Sequence, residues 1–101
     1  MALRALAHPG RRQVLELVAG NERTASELAQ ACGWTRPAAS QHLAVLREAG
    51  LVEVHARGNR RLYRANAQRL AEVRSFLDDF WGRRLAALAE RLDGAADGSE
   101  V

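Results

Sequence analysis

The chain has 101 residues, a formal net charge of +3 and a hydrophobic fraction of 48%. That is one domain with a small core, too apolar to be disordered, with no apolar run near the roughly 18 residues a membrane span needs. Residues 1–7 carry Arg4 in their middle and no signal-peptide core, which predicts a cytoplasmic protein without a membrane partner.

All 15 basic side chains are arginine. Residues 1–67 hold ten of them against five acids, whereas residues 68–101 hold five against seven. A basic face confined to the first two-thirds is the footprint of a surface that meets phosphates. The single Cys32 excludes an intrachain disulfide and a cysteine-rich zinc site within one chain.

Leu3 and Leu6 fall on one side of a short first helix ending near His8-Pro9. Pro9 suits the first turn of a second helix. That helix reaches about Ala19, with Val14, Leu15, Leu17 and Val18 as its buried stripe and Gly20-Asn21 as its stop. Arg11 and Arg12 stand in its first turn, the end where the helix dipole disfavours cations. They read equally as solvated surface or as phosphate contacts.

Thr24-Ala25-Ser26-Glu27 has the pattern of a capping box. Leu28 and Ala31 should then face inward. Gly33 makes a turn, with Trp34 as an apolar plug beside it. Thr35 caps the next helix, with Pro37 in its first turn. This helix carries Ser40, Gln41 and His42 early, Leu43 and Leu46 later, and ends at Ala49-Gly50. A helix that is polar at its N-terminal end and apolar further along suits a DNA major groove, its far end held in a core.

Leu51 to Ala56 and Arg61 to Ala65 are candidate strands, joined by Arg57-Gly58-Asn59-Arg60 as a hairpin tip. Arg57, Arg60, Arg61 and Arg64 line this ribbon. A charge run is usually a solvated face. Directly after a recognition-type helix, however, the ribbon lies beside the duplex, where the minor groove and its phosphates attract arginine.

From about Ala67 to Leu92 the pattern predicts one long amphipathic helix. Leu70, Val73, Leu77, Trp81, Leu85, Leu88 and Leu92 recur at steps of three and four, widened by Phe76 and Phe80. Its length, roughly 39 Å, exceeds what a small domain covers with its own body. Part of the stripe should therefore meet a second copy. Residues 94–101 are small, polar and acidic, and read as a flexible tail that leaves 1–93 as the domain.

In this order the elements resemble the ArsR family of bacterial winged-helix transcriptional repressors, from Ala2 to about Leu92. The resemblance is carried by LAHPGRRQVLELV, TASELAQACGWTRPAASQHLAVLREAGLV and GNRRLYRA. The ending DDFWGRRLAALAERL is similar to a subgroup without the usual metal ligands. The family likeness implies a mainly α fold with a small β-hairpin wing: four helices, two strands, then a last helix. It implies a homodimer paired through the first and last helices, here Leu3, Leu6, Phe76, Leu77, Phe80, Trp81, Leu85, Leu88 and Leu92. Such a dimer would sit on palindromic double-stranded operator DNA and repress transcription, often of its own operon.

Carried over by residue, the resemblance puts Thr35, Arg36, Ala39, Ser40, Gln41 and His42 in or beside the major groove. It puts Arg57, Asn59, Arg60 and Arg61 on the wing. Arg36 has the geometry for bidentate hydrogen bonds to guanine and Gln41 for adenine. Ser40 and His42 suit phosphates, although His42 also reads as a plain helix-surface histidine.

The same comparison argues against metal sensing. The arsenic-sensing branch carries a Cys-x-Cys pair where this chain has Thr24 and Ser26, and a third Cys can sit where it has Ala29. The zinc-sensing branch uses Asp and His on the last helix, and no His follows His55 here. No metal and no cofactor are expected, and Cys32 reads as a small buried hydrophobe. The alternatives are a thiol- or metal-responsive repressor acting through Cys32, or a winged-helix module for protein partners. Modules of that kind tend to lose the basic wing and polar recognition face that this chain keeps. An enzyme is not expected. There is no Gly-rich phosphate loop or nucleophile motif, and Asp78 and Asp79 point about 100° apart on a helix. An inducer is not specified by the sequence.

Overall fold

The computed structural model describes residues 2–99, with side chains for residues 2–94. It divides into two units, residues 2–70 and 71–99. The first contains α1 (Ala2–Leu6), α2 (Pro9–Val18), α3 (Ala25–Cys32), α4 (Arg36–Glu48), β1 (Val52–Arg57), β2 (Arg60–Ala65) and the start of α5 (Ala67–Leu77). The second contains the rest of α5, a π-helical turn (Asp78–Gly82) and α6 (Arg83–Ser99).

Local signals set most of the boundaries in the first unit. α1 stops at Leu6, two residues before the expected end, because His8 belongs to the next helix. The His8 Nδ1 accepts the Gly10 amide at 3.0 Å and caps α2, and Pro9 takes the first helical position. Arg11 and Arg12 have a role the sequence did not suggest. Their guanidiniums donate to the α1 carbonyls of Arg4 (3.4 Å) and Leu6 (2.8 Å), satisfying acceptors that a helix end leaves open.

The Thr24 capping box forms as expected. The Thr24 hydroxyl accepts the Glu27 amide, and the Glu27 carboxylate accepts the Thr24 amide. Gly33 closes α3 at φ 68°, and the Trp34 amide donates back to Ala29 at 2.9 Å. Gly50 closes α4 in the same left-handed way at φ 76°. Over it lies the Arg69 side chain, whose Nε donates to the Ala49 carbonyl at 3.2 Å.

The core gathers Val14, Val18, Leu28, Leu43, Leu46 and Leu51, all less than 2% exposed. Each such side chain contributes roughly 1.5–3 kcal/mol on burial. Ala31, expected inside, is exposed, and Ala29 is buried in its place. The inward face of α3 follows Ala25, Leu28, Ala29 and Cys32, a helical i, i+3, i+4, i+7 set that excludes position 31. Leu17 is only half-buried beside its buried neighbours Val14, Leu15 and Val18.

β1 and β2 pair antiparallel in the register Val52 with Ala65 through Arg57 with Arg60. Gly58 at φ 63° and Asn59 at negative φ form a two-residue tip of the kind with glycine first, which matches strand twist. Arg23 and Tyr63 exchange both backbone hydrogen bonds, at 3.1 and 2.8 Å, so the end of the α2–α3 connection lies against β2.

In the second unit Phe76 and Phe80 stack with centroids 5.6 Å apart and an interplanar angle of 6°. Trp81 meets Phe80 edge-on at 5.3 Å, and the Arg84 guanidinium lies 4.3 Å over the Phe80 ring. The expected single helix is therefore helical throughout but contains a π turn at its aromatic centre. Helix is assigned as far as Ser99. The expected flexible tail falls mostly on residues 95–101, whose side chains lie outside the described residues. No described helix is long and apolar enough to cross a membrane.

Candidate nucleic-acid interface

α4 turns Ala39, Leu43 and Leu46 into the core, at spacings of four and three. Its opposite face is thereby exposed and holds Arg36, Ser40, Gln41, Ala44, Arg47 and Glu48. Thr35 starts the helix, its hydroxyl accepting the Ala38 amide at 3.2 Å. Of the residues expected beside a major groove, Thr35, Arg36, Ser40 and Gln41 are on the outer surface.

Ala39 and His42 require correction. Ala39 is 1% exposed and is a packing residue, because it shares the inward stripe with Leu43. His42 is half-buried and turned toward the start of α2. Its ring lies 4.5 Å from the His8 ring and 4.3 Å from the Trp34 indole, centroid to centroid. Burial holds its pKa below the ordinary histidine value, helped by the nearby His8 and Arg11. A neutral imidazole packed among rings is poorly suited to a phosphate.

The arginines of this face are partly engaged. Arg36 donates to the Ser26 hydroxyl. On the wing, Arg60 pairs with Glu27 at 3.2 Å, Arg64 with Glu53 at 3.1 Å, and Arg57 lies 3.9 Å from Glu22. Glu22 also meets His55 at 3.0 Å. Among the described residues Arg61 makes no ion pair. Asn59 is exposed at the tip.

Two open grooves connect these elements. One, about 440 Å³, is lined by Ser26 of α3, Arg36 and Ser40 of α4, and Asn59, Arg60 and Arg61 of the wing. The other, about 540 Å³, runs further along α4 past Ser40, Ala44 and Arg47 to Arg61 and Tyr63. Arg61 and Ser40 line both. The structure thus brings the polar start of α4 and the wing tip to one concave face. It adds Ala44, Arg47 and Tyr63, which the sequence reading omitted. Stepping by three and four from Arg36 and Ser40 would have found Ala44 and Arg47. Tyr63 has no sequence signal, because its place depends on strand register.

The remaining expected site residues lie elsewhere. Leu3 is exposed on α1 and Leu6 is half-buried. In the second unit Leu77 is half-buried, while Phe76, Phe80, Trp81, Leu85, Leu88 and Leu92 are each 41–61% exposed. Among the described residues no three His, Cys, Asp or Glu side chains cluster as a metal site. Cys32 is half-buried, and burial raises its thiol pKa, which works against the reactive thiolate.

Residues 6–55 match the helix-turn-helix domain family. Over 96 residues the chain is 41% identical to the HTH-type transcriptional regulator Rv2034 of Mycobacterium tuberculosis, covering 95% of this chain and 90% of that one. Its fold is similar to the crystal structure of a possible transcriptional regulator for arsenical resistance. The TM-score is 0.73 at 42% identity, covering 85% of this chain and 93% of the other. It is similar, too, to the solution structure of the homodimeric winged helix-turn-helix DNA-binding domain Mb0332 of Mycobacterium bovis, a possible ArsR-family regulator. There the TM-score is 0.65 at 32% identity, covering 83% and 78%. With four helices, a hairpin wing, a last helix and this likeness along most of its length, the chain belongs to the ArsR family of winged helix-turn-helix transcriptional regulators.

Proposed function

We propose that the protein is a sequence-specific DNA-binding repressor that acts as a homodimer on a palindromic operator, including its own. The observation that carries this reading is the concave face shared by the outer side of α4 and the wing, where Ser40 and Arg61 border both grooves. Arg36, Ser40 and Gln41 have the reach and donors for base edges and phosphates. Arg61, Asn59 and Arg57 have the position of wing contacts. The Mycobacterium bovis relative is a homodimeric DNA-binding domain. Here the exposed ridge Phe76, Phe80, Trp81, Leu85, Leu88 and Leu92 of the second unit supplies an apolar surface that a second copy would cover, and Leu3 of α1 is separately exposed for the same pairing. Two recognition helices would then enter successive major grooves roughly 34 Å apart.

The protein is not read as a metal sensor. Thr24 and Ser26 stand where the arsenic-sensing branch has thiolates, and both hydroxyls are already used, by the α3 cap and by Arg36. The cytoplasm is the compartment such a regulator needs, and no enzymatic chemistry is proposed.

Fluorescence anisotropy with duplex from the protein's own upstream region, against a scrambled duplex at two salt concentrations, tests the reading. Tight, salt-sensitive binding that prefers the native duplex is expected. Equal, weak binding to both duplexes would remove autoregulation and point to a winged helix turned toward protein partners.

A further inference from the structure

Two consecutive residues in the first turn of α3 each hold an arginine from a different part of the interface. Ser26 holds Arg36 of α4, and Glu27 holds Arg60 of the wing at 3.2 Å. The Glu27 carboxylate is not free to swing. The same Oε1 accepts the Thr24 amide at 3.0 Å and the Thr24 hydroxyl at 3.0 Å. These two hydrogen bonds, ahead of the arginine charges, keep its pKa below the ordinary carboxylate value, so it is an anion at neutral pH. One residue on from Arg60, Arg61 has no acidic partner among the described residues, although it borders the same groove.

From this geometry we infer that Glu27 meters the DNA affinity of the interface: its carboxylate occupies Arg60 in the free protein, and a backbone phosphate must displace it before Arg60 counts as a contact. The inference rests on the DNA-binding reading above. Affinity for the backbone comes largely from cations that displace condensed counterions. A guanidinium already neutralised contributes less of this than a bare one. The pair is exposed on both sides, 62% for Arg60 and 46% for Glu27, and such pairs are weak enough to exchange. Arg61 is thus an unconditional cation of the wing and Arg60 a conditional one. The capping box gives the device its rigidity, because Glu27, which withholds Arg60, is also the residue whose carboxylate accepts the Thr24 amide at the start of α3.

Glu27→Gln tests this cleanly. Glutamine at this helix position keeps the acceptor of the capping box and removes only the charge. The probe is a labelled mixed-sequence duplex, titrated across a salt series with wild type, Glu27→Gln, Arg60→Ala and the double variant, each first shown to be folded by circular dichroism. Glu27→Gln should bind severalfold more tightly at low salt, with a salt slope steeper by up to about 0.9. That gain should vanish in the Arg60→Ala background, the coupling expected of a direct pair. A gain that persists without Arg60 would mean simple removal of a negative charge and would overturn the metering role. So would unchanged or weaker binding by Glu27→Gln when wild type binds normally. Wild type that binds no duplex at any salt would instead overturn the DNA reading itself, and this inference with it.

Discussion

The imidazole of His42 lies on the indole of Trp34, ring centroids 4.3 Å apart at an angle of 32°, with the His8 ring 4.5 Å away on the same imidazole. This joins α4 to the α3–α4 turn and to the cap of α2. Burial, then His8 and Arg11, lower the His42 pKa in the folded state. Below the ordinary histidine value of about 6.5, the unfolded chain takes up a proton that the folded chain resists. Stability should therefore be highest above that value and fall as pH drops below it, until the folded-state histidine also protonates. Melting temperatures across this range should show the loss, and His42→Phe should reduce it. Identical profiles for the two proteins would show that the acid sensitivity lies elsewhere.

Gly10 stands against the same cluster. A Cβ there would meet the Trp34 ring at 2.5 Å and the His8 ring at 3.1 and 3.2 Å. Trp34 is already in contact with His42, and His8 is fixed by the cap it makes. Gly10→Ala should destabilise by about 1–3 kcal/mol through overpacking. Gly20→Ala, where a Cβ meets nothing within 4 Å, should stay within about 0.5 kcal/mol. Urea unfolding of the two variants checks the contrast, and a neutral Gly10→Ala would mean that the ring cluster yields easily.

Arg61→Ala should weaken binding to every duplex and lower the salt slope by about 0.9, the loss of one phosphate contact. Arg36→Ala should act differently, costing about 1–3 kcal/mol of discrimination between native and substituted operators. Anisotropy titrations of both variants on matched duplexes separate the two effects. Equal discrimination by Arg36→Ala and wild type would place base reading on Gln41 or elsewhere.

Leu85 is 59% exposed in the single chain. Leu85→Glu should leave the fold of a chain intact and shift the protein to monomer in sedimentation at micromolar concentration. Operator affinity should fall with it, because half-sites would then bind separately. A monomeric wild type would remove the role of the ridge in dimerisation.

What was legible in the sequence was mainly what short-range chemistry decides. The Thr24 capping box, the turn at Gly33 and the left-handed cap at Gly50 each rest on a few adjacent residues. So does the hairpin tip, although Arg57 and Arg60, read as part of it, pair as the last strand residues on either side of Gly58-Asn59. The outer face of α4 was half legible: Arg36, Ser40 and Gln41 were read from polarity, but Ala39 needed the phase of the core stripe. His42, Arg11 and Arg12 were illegible for a different reason. Their partners are Trp34, His8 and the α1 carbonyls, and only tertiary packing brings these together. The pairing of Arg60 with Glu27 spans 33 positions of sequence. No local pattern announces it.

The π turn at Asp78–Gly82 has a consequence for how this chain tolerates change in length. From Val73 the apolar ridge steps by four to Leu77, Trp81 and Leu85, then by three to Leu88 and four to Leu92. In a regular α-helix each step of four drifts by about 40°, and the wider turn takes back part of that drift. The segment behaves as a heptad repeat carrying one surplus residue. Removal of Asp79 would leave the steps alternating four and three throughout, a spacing whose seam drifts by only about 20° per heptad. Loss of a residue here should therefore preserve the ridge in an ordinary helix. Gain of one would add to a surplus the turn already absorbs and would carry Leu85, Leu88 and Leu92 round the helix away from Val73 and Leu77.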